Sequence, residues 1–106
     1  MAFKTASVVM APDGDPEKHR ALIKTSKLEL IVVVVELMNL DQAINVCKHL
    51  VEKDGVQAIS LCPGFTHEAV AKIANAVGEG VSISVARGDV PSVMIAGGIL
   101  GQEGWF

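Results

Sequence analysis

Val56-Gln57-Ala58-Ile59-Ser60-Leu61-Cys62, then Pro63-Gly64-Phe65, then Thr66-His67-Glu68 opening a run to Gly78, reads as a buried strand, a tight loop and a helix. Thr66 suits the cap, Glu68 suits the positive end of the helix dipole, and Val70, Ile73, Ala74 and Val77 share an inward face. Two similar units precede it. Lys4–Met10 is a first strand, broken by Pro12-Asp13-Gly14. Asp15 as N-cap, Pro16 at the first helical position and Glu17 predict a first helix running to about Thr25, with Leu22 and Ile23 as its short apolar face. Leu28–Val35 is a second strand. Its Ile-Val-Val-Val-Val core does not alternate, so burial on both faces is expected.

Asn39 caps a second helix, with Gln42 three residues on as a capping box prefers. Leu40, Ala43, Ile44, Cys47, Leu50 and Val51 form its apolar stripe, while Lys48, His49, Glu52 and Lys53 fall mostly off it. Asp54-Gly55 ends the helix. A fourth strand, Val81–Ala86, alternates Val81, Ile83 and Val85 against Ser82, Ser84 and Ala86. In the tail, Pro91, Gly97, Gly98, Gly101 and Gly104 argue against a long regular element. A short helix or turn near Ser92–Ala96 is expected there.

Strand–helix alternation implies parallel pairing through right-handed crossovers. The predicted fold is α/β, a three-layer sandwich on a mainly parallel four-stranded sheet in the flavodoxin-like order 2-1-3-4. The alternative is a ferredoxin-like or other mixed sheet in which the tail adds an antiparallel edge. Residues 1–106 read as one domain, as befits a chain of 106 residues. Within it, 90–106 is an apolar, Gly-rich tail expected to dock on this or a neighbouring subunit.

Half of the residues are hydrophobic, and the mean hydropathy is +0.42. With no Tyr, one Trp and three Phe, the core must be aliphatic. The apolar excess predicts self-association, most simply as a homodimer. A sheet covered on both faces inflates the apolar fraction too and is the plainer account. A net charge of −3 without a basic run excludes nucleic acid as an expected partner. The longest apolar run, Leu30–Val35, is far short of the roughly 20 residues a membrane helix needs. Met1–Ala6 lacks the pattern of a signal peptide, which predicts a cytoplasmic protein.

In a parallel sheet, ligands bind beyond the strand C-termini where the strand order reverses. That places Ala11–Asp15 and Cys62–His67 face to face, flanked by Glu36-Leu37-Met38 and Arg87-Gly88-Asp89. The expected ligand-binding residues are Asp13, Gly64, Thr66, His67 and Arg87, serving a small, anionic metabolite. Gly64 permits close approach of the backbone to an anion and Thr66 offers a hydroxyl. A tight turn with a well-capped helix, and an Arg87 paired with Asp89 or Glu103, is the purely structural reading.

Cys62 and His67 also invite a nucleophile-and-base pair at the start of the helix. Against this stands a small residue closing a strand beside an exposed histidine. Cys47, on the apolar stripe, is expected in the core. His19, Asp13, Asp15 and His67 match no metal-ligand spacing, so neither metal nor cofactor is expected. Phosphate-loop, dinucleotide and nucleophile-elbow signatures are absent. Three functions therefore remain open: metabolite binding at the sheet edge, a small enzyme using Cys62 or His67, or a structural or regulatory subunit without chemistry of its own.

Three segments carry a resemblance: Asp15-Pro16-Glu17-Lys18-His19-Arg20, Gly55-Val56-Gln57-Ala58-Ile59, and Cys62-Pro63-Gly64-Phe65-Thr66-His67-Glu68-Ala69-Val70. Together they resemble a family of small, roughly hundred-residue prokaryotic proteins of unknown function. The resemblance extends from the first strand to about Asp89. It implies a free-standing cytoplasmic protein and brings no activity, cofactor or functional residue.

Overall fold

A computed structural model describes residues 1–106 and shows eight elements in the order β1 (Phe3–Ala11), β2 (Arg20–Lys24), β3 (Leu28–Glu36), α1 (Leu40–Glu52), β4 (Ala58–Leu61), α2 (His67–Val77), β5 (Ser82–Val85) and α3 (Val90–Gln102). The fold is α/β, built on one five-stranded mixed sheet in the order β2-β3-β1-β4-β5. β1 pairs in parallel with both β3 and β4, and β5 runs parallel to β4. β2 lies antiparallel on the outer edge of β3.

The mainly parallel four-stranded sheet expected from the sequence is thus extended to five strands of mixed direction. The antiparallel edge comes from Arg20–Lys24, where a helix was expected, and not from the tail. The helix-start signals at Asp15 and Pro16 are spent on a single turn. Asp15 Oδ1 accepts from Glu17 N, and the Asp15 carbonyl accepts from Lys18 N and His19 N. Nothing beyond that turn sustains a helix, because Leu22 and Ile23 alone make too thin an apolar face. The open hydrogen-bonding edge of β3 captures the segment instead. Thr25 Oγ1 then closes the hairpin by accepting from Lys27 N and Leu28 N.

The loss of that helix also removes a layer. The crossovers β3-α1-β4 and β4-α2-β5 step across the sheet in the same direction, so right-handedness puts both helices on one face. There they pack on each other. The step from β1 to β3 runs the opposite way, and a helix in it would have covered the other face. The chain makes a turn and an edge strand there. The three-layer expectation therefore becomes one helical layer on one sheet.

All thirteen buried residues belong to the covered side: Ala6, Val8, Val33, Val35, Ile59 and Leu61 from the sheet, with Ala43, Cys47, Leu50, Val56, Phe65, Ala69 and Ile73 above it. Burial of β3 on both faces, expected from its unbroken apolar run, is not observed. Val33 and Val35 are buried, while Val32 and Val34 on the reverse side are only half-buried.

α1 begins as the sequence indicated, with Asn39 Oδ1 accepting from Gln42 N. Gln42 Oε1 accepts from Glu36 N and so ties the helix to the end of β3. α2 begins at its Thr66 cap and ends at Gly78, whose φ of 85° is costly for any residue with a Cβ.

The tail departs furthest from expectation. Val90–Gln102 is one helix of thirteen residues, started by Pro91 in its first turn, and none of its residues is buried. The chain's radius of gyration is 14.1 Å and its extents are 42 × 28 × 28 Å. A compact chain of this length would have a radius of about 13 Å, so one element stands away from the body.

Candidate functional site

The parallel strands bring their C-terminal ends to one rim, and the loop after β4 is pinned there from both sides. Cys62 N donates to the Val8 carbonyl, and Phe65 N donates to the Cys62 carbonyl. The Phe65 side chain is fully buried beneath the turn. Thr66 Oγ1 accepts from Ala69 N, so its hydroxyl lone pair already serves the helix. Arg87, leaving β5, donates from Nη1 to the Pro63 carbonyl at 3.1 Å. Its Nη2 stands 3.5 Å from His67 Nδ1. Glu68 turns away to Lys72, at 3.0 Å one helical turn on.

The rim therefore brings together Arg87, His67, Pro63 and Gly64. A Cβ at Gly64 would come within 3.1 Å of Met10 Sδ and 3.5 Å of Cys62 Sγ, so the loop backbone lies close over the end of β1. Asp13 follows β1 on the same rim, but no hydrogen bond or ion pair joins it to the β4 loop. Its turn leans the other way, with the Gly14 backbone against the Val35 carbonyl of β3. Cys62 is half-buried and shares no hydrogen bond with His67. Neither of the two main cavities is lined by this cluster.

The larger cavity is a cleft of about 530 Å³ between α1 and the turn that leads into β2. Pro16, Glu17 and Arg20 form one wall. Asn39, Gln42, Asn45, Val46, His49 and Leu50 form the other. The spacing of these α1 residues puts them on one strip of the helix, beside the apolar stripe. Arg20 pairs with the buried Val33 across the β2–β3 ladder, so its side chain leaves the sheet on the helical side. The cleft opens at the rim, where Asn39 follows the end of β3, and runs down α1 to His49 and Leu50.

At its foot Arg20 Nη2 lies 3.6 Å and His49 Nδ1 lies 3.9 Å from Asp54 Oδ2. That oxygen is buried and accepts no hydrogen bond. The Arg20 guanidinium and the His49 imidazole face one carboxylate at 3.6 and 3.9 Å without closing on it. Arg20 and His49 keep donor capacity directed into the cleft. Asn39 is spoken for by Gln42 N and the Glu36 carboxylate, and Gln42 by Glu36 N. Asn45 has both amide groups free.

A second, smaller cavity of about 120 Å³ lies at the other end of the sheet, between Lys4, Leu22, Glu29 and Asp54 among others. Lys24 and Lys4 flank Glu29 at 3.1 and 3.7 Å. The hydrogen bond from Lys24, aided by the charges of both lysines, holds the Glu29 carboxyl below its ordinary range. Burial pushes the Cys47 thiol up to about 12, which removes it from nucleophilic chemistry. No group of three or more His, Cys, Asp and Glu side chains stands close enough to hold a metal ion. No helix is long and apolar enough to cross a membrane.

Sequence reasoning did not nominate Arg20, Asn45, His49 or Asp54. Reading residues 15–25 as a helix hid the edge strand that carries Arg20, and His49 falls off the apolar stripe of α1. The usable signal was the polar series Asn39, Gln42, Asn45 and His49 at three- and four-residue spacing.

Comparison with curated proteins and with solved structures gives no match. The family model that does match, over residues 3–95, takes in the sheet, α1, α2 and the first turns of α3, and the chain belongs to that family of unknown function (DUF6506).

Proposed function

We propose that the protein binds a small polar metabolite bearing a carboxylate or similar anionic group, in the cleft that opens at the C-terminal edge of the sheet. The observation that carries this reading is the lining of the cleft of about 530 Å³, where Arg20 and His49 approach only Asp54, at 3.6 and 3.9 Å, and the Asn45 amide has no partner. Metabolite pockets span roughly 300–1,000 Å³ and hold a few convergent polar groups. Asp54 stands beside both side chains and offsets part of the Arg20 charge, so a monoanion is favoured over a highly charged ligand.

A second reading rests on the approach of Arg87 to His67 above the capped N-terminus of α2, which supports an anion at the rim with Gly64, Thr66 and Asp13 nearby. A third uses Cys62 as a nucleophile. Its mark would be unusually fast reaction of Cys62 with a thiol probe at neutral pH, and ordinary slow labelling removes it.

One thermal-shift screen with carboxylated and phosphorylated metabolites separates the first two readings. The cleft reading expects stabilisation by a carboxylated compound that Arg20→Ala and Asn45→Ala abolish and Arg87→Ala leaves intact. The reverse pattern transfers the site to the rim. Stabilisation by no compound of either class overturns both.

A further inference from the structure

We infer that α3 packs on the bare face of the sheet of a second copy of this chain, and that the two copies exchange these helices about a two-fold axis. Two apolar surfaces of one chain lack partners. The first is α3 itself. Val90–Gln102 carries no charged residue and is apolar all round, the pattern of a helix enclosed on every side. Yet Val90, Met94 and Ile95 are 73%, 73% and 68% exposed. Its length and its Gly97, Gly98 and Gly101 make it a weak helix alone, since isolated helices under about 12–15 residues are marginal even when rich in alanine. Packing must hold it, and its own chain supplies almost none.

The second surface is the side of the sheet without helices. Strand register puts Ile23, Leu30, Val32, Val34 and Val9 there, exposed or half-buried and uncharged. Parallel strands are almost always covered on both faces. The uncovered half of this sheet and the unsupported helix match in chemistry.

Areas favour an exchange over a single contact. A helix of thirteen residues is a cylinder about 20 Å long and about 10 Å across, with roughly 600 Å² of side surface, of which about half meets a sheet. Counting both partners, one such contact removes roughly 600 Å², within the range of incidental contacts. Two reciprocal contacts remove roughly 1,200 Å², the lower bound for a stable complex. Two-fold symmetry delivers the second contact automatically. The surface lies on the face opposite the cleft, so this inference stands independently of the ligand-binding reading.

The test is sedimentation equilibrium of the full chain, followed by cross-linking. The wild type should run at twice the 11.1 kDa chain mass at micromolar concentration. Ile95→Glu and Ile23→Glu should each weaken association at least tenfold. Both sites are exposed in the single chain, so the variants should stay folded, with far-UV circular dichroism losing at most the α3 contribution. In a Cys62→Ser background, chains carrying Ile95→Cys or Met94→Cys are oxidised together with chains carrying Ile23→Cys, Val32→Cys or Val34→Cys. A disulfide-linked heterodimer supports the exchange. Three results overturn it: a wild-type monomer, a dimer that persists in both glutamate variants, or a cross-link that forms only within a chain carrying both cysteines.

Discussion

Gly14→Ala should be among the most damaging conservative changes in the chain, and it bears directly on the cleft. A Cβ at residue 14 would sit 2.2 Å from the Val35 carbonyl oxygen and 2.6 Å from its carbon. That is roughly 1.3 Å inside the ~3.5 Å separation at which heavy atoms pack comfortably. The obstacle is backbone, in a strand held by β1 on one side and β2 on the other, so it cannot swing aside as a side chain would. Overpacking a filled site costs about 1–3 kcal/mol, and a backbone obstacle belongs at the upper end. A loss of about 3 kcal/mol is a large share of the 5–15 kcal/mol typical of a domain, and should lower Tm by about 15 °C. Urea unfolding at constant m-value measures it. Gly97→Ala is the control, because within the single chain nothing beyond its own helix backbone lies within 4 Å of its added Cβ. There the change should be neutral or gain up to about 1 kcal/mol from helix propensity. The variant should also lose ligand-induced stabilisation, since the same turn carries Pro16, Glu17 and Arg20 into the cleft wall. A Gly14→Ala protein within about 0.5 kcal/mol of wild type, the spread of an ordinary surface change, would show that the turn does not rest on β3 and that the wall is not held as described.

Phe65→Ala should cost about 3–5 kcal/mol, because the ring is wholly buried and anchors the β4–α2 loop; a loss under 1 kcal/mol by urea unfolding would contradict that anchoring. Cys47 should stay unlabelled by thiol reagents in the native protein at pH 8 and react only on unfolding, whereas native labelling at both cysteines would refute its burial. Its thiol is raised to about 12 against 9.0 in the unfolded chain, so the folded state keeps the proton longer. The associated stability is intact below about 9 and is lost as pH rises towards 12, by up to about 1.4 kcal/mol per unit. Cys47→Ala should flatten this alkaline decline in urea midpoints, and an unchanged slope would remove the assignment. Glu29 has the opposite sign: its carboxyl is held low by Lys24 and Lys4, so its contribution is present above 4.5 and disappears as pH falls below that value. Glu29→Gln should therefore narrow the stability difference between pH 7 and pH 3, which a comparison of thermal midpoints reads directly.

The parts of the fold that were legible share one property: a local signal agreed with a long apolar pattern. α1 had both an Asn39 cap and a six-residue apolar stripe, and α2 had Thr66 with Val70, Ile73 and Val77. Asp15-Pro16-Glu17 offered a start signal with no stripe behind it, and the signal closed one turn and stopped. Misreading that segment propagated. It concealed β2, and with β2 the side of the sheet on which Arg20 emerges, and so the whole wall of the cleft. It also supplied an imaginary helix for the second face, which agreed with the two-sided burial that the non-alternating run of β3 had suggested.

The glycines of α3 misled in the opposite direction. Gly97, Gly98 and Gly101 lower intrinsic helicity by about 1 kcal/mol each, which argued for an irregular tail. The helix forms despite them, and none of its residues is buried within its own chain. The apolar composition that a complete third layer would have consumed is therefore still unspent, divided between α3 and Ile23, Val32 and Val34. An excess of hydrophobic residues in a small domain is a statement about total burial. It does not say where the cover comes from, and the placement of β2 at the edge leaves one face of this sheet without helices.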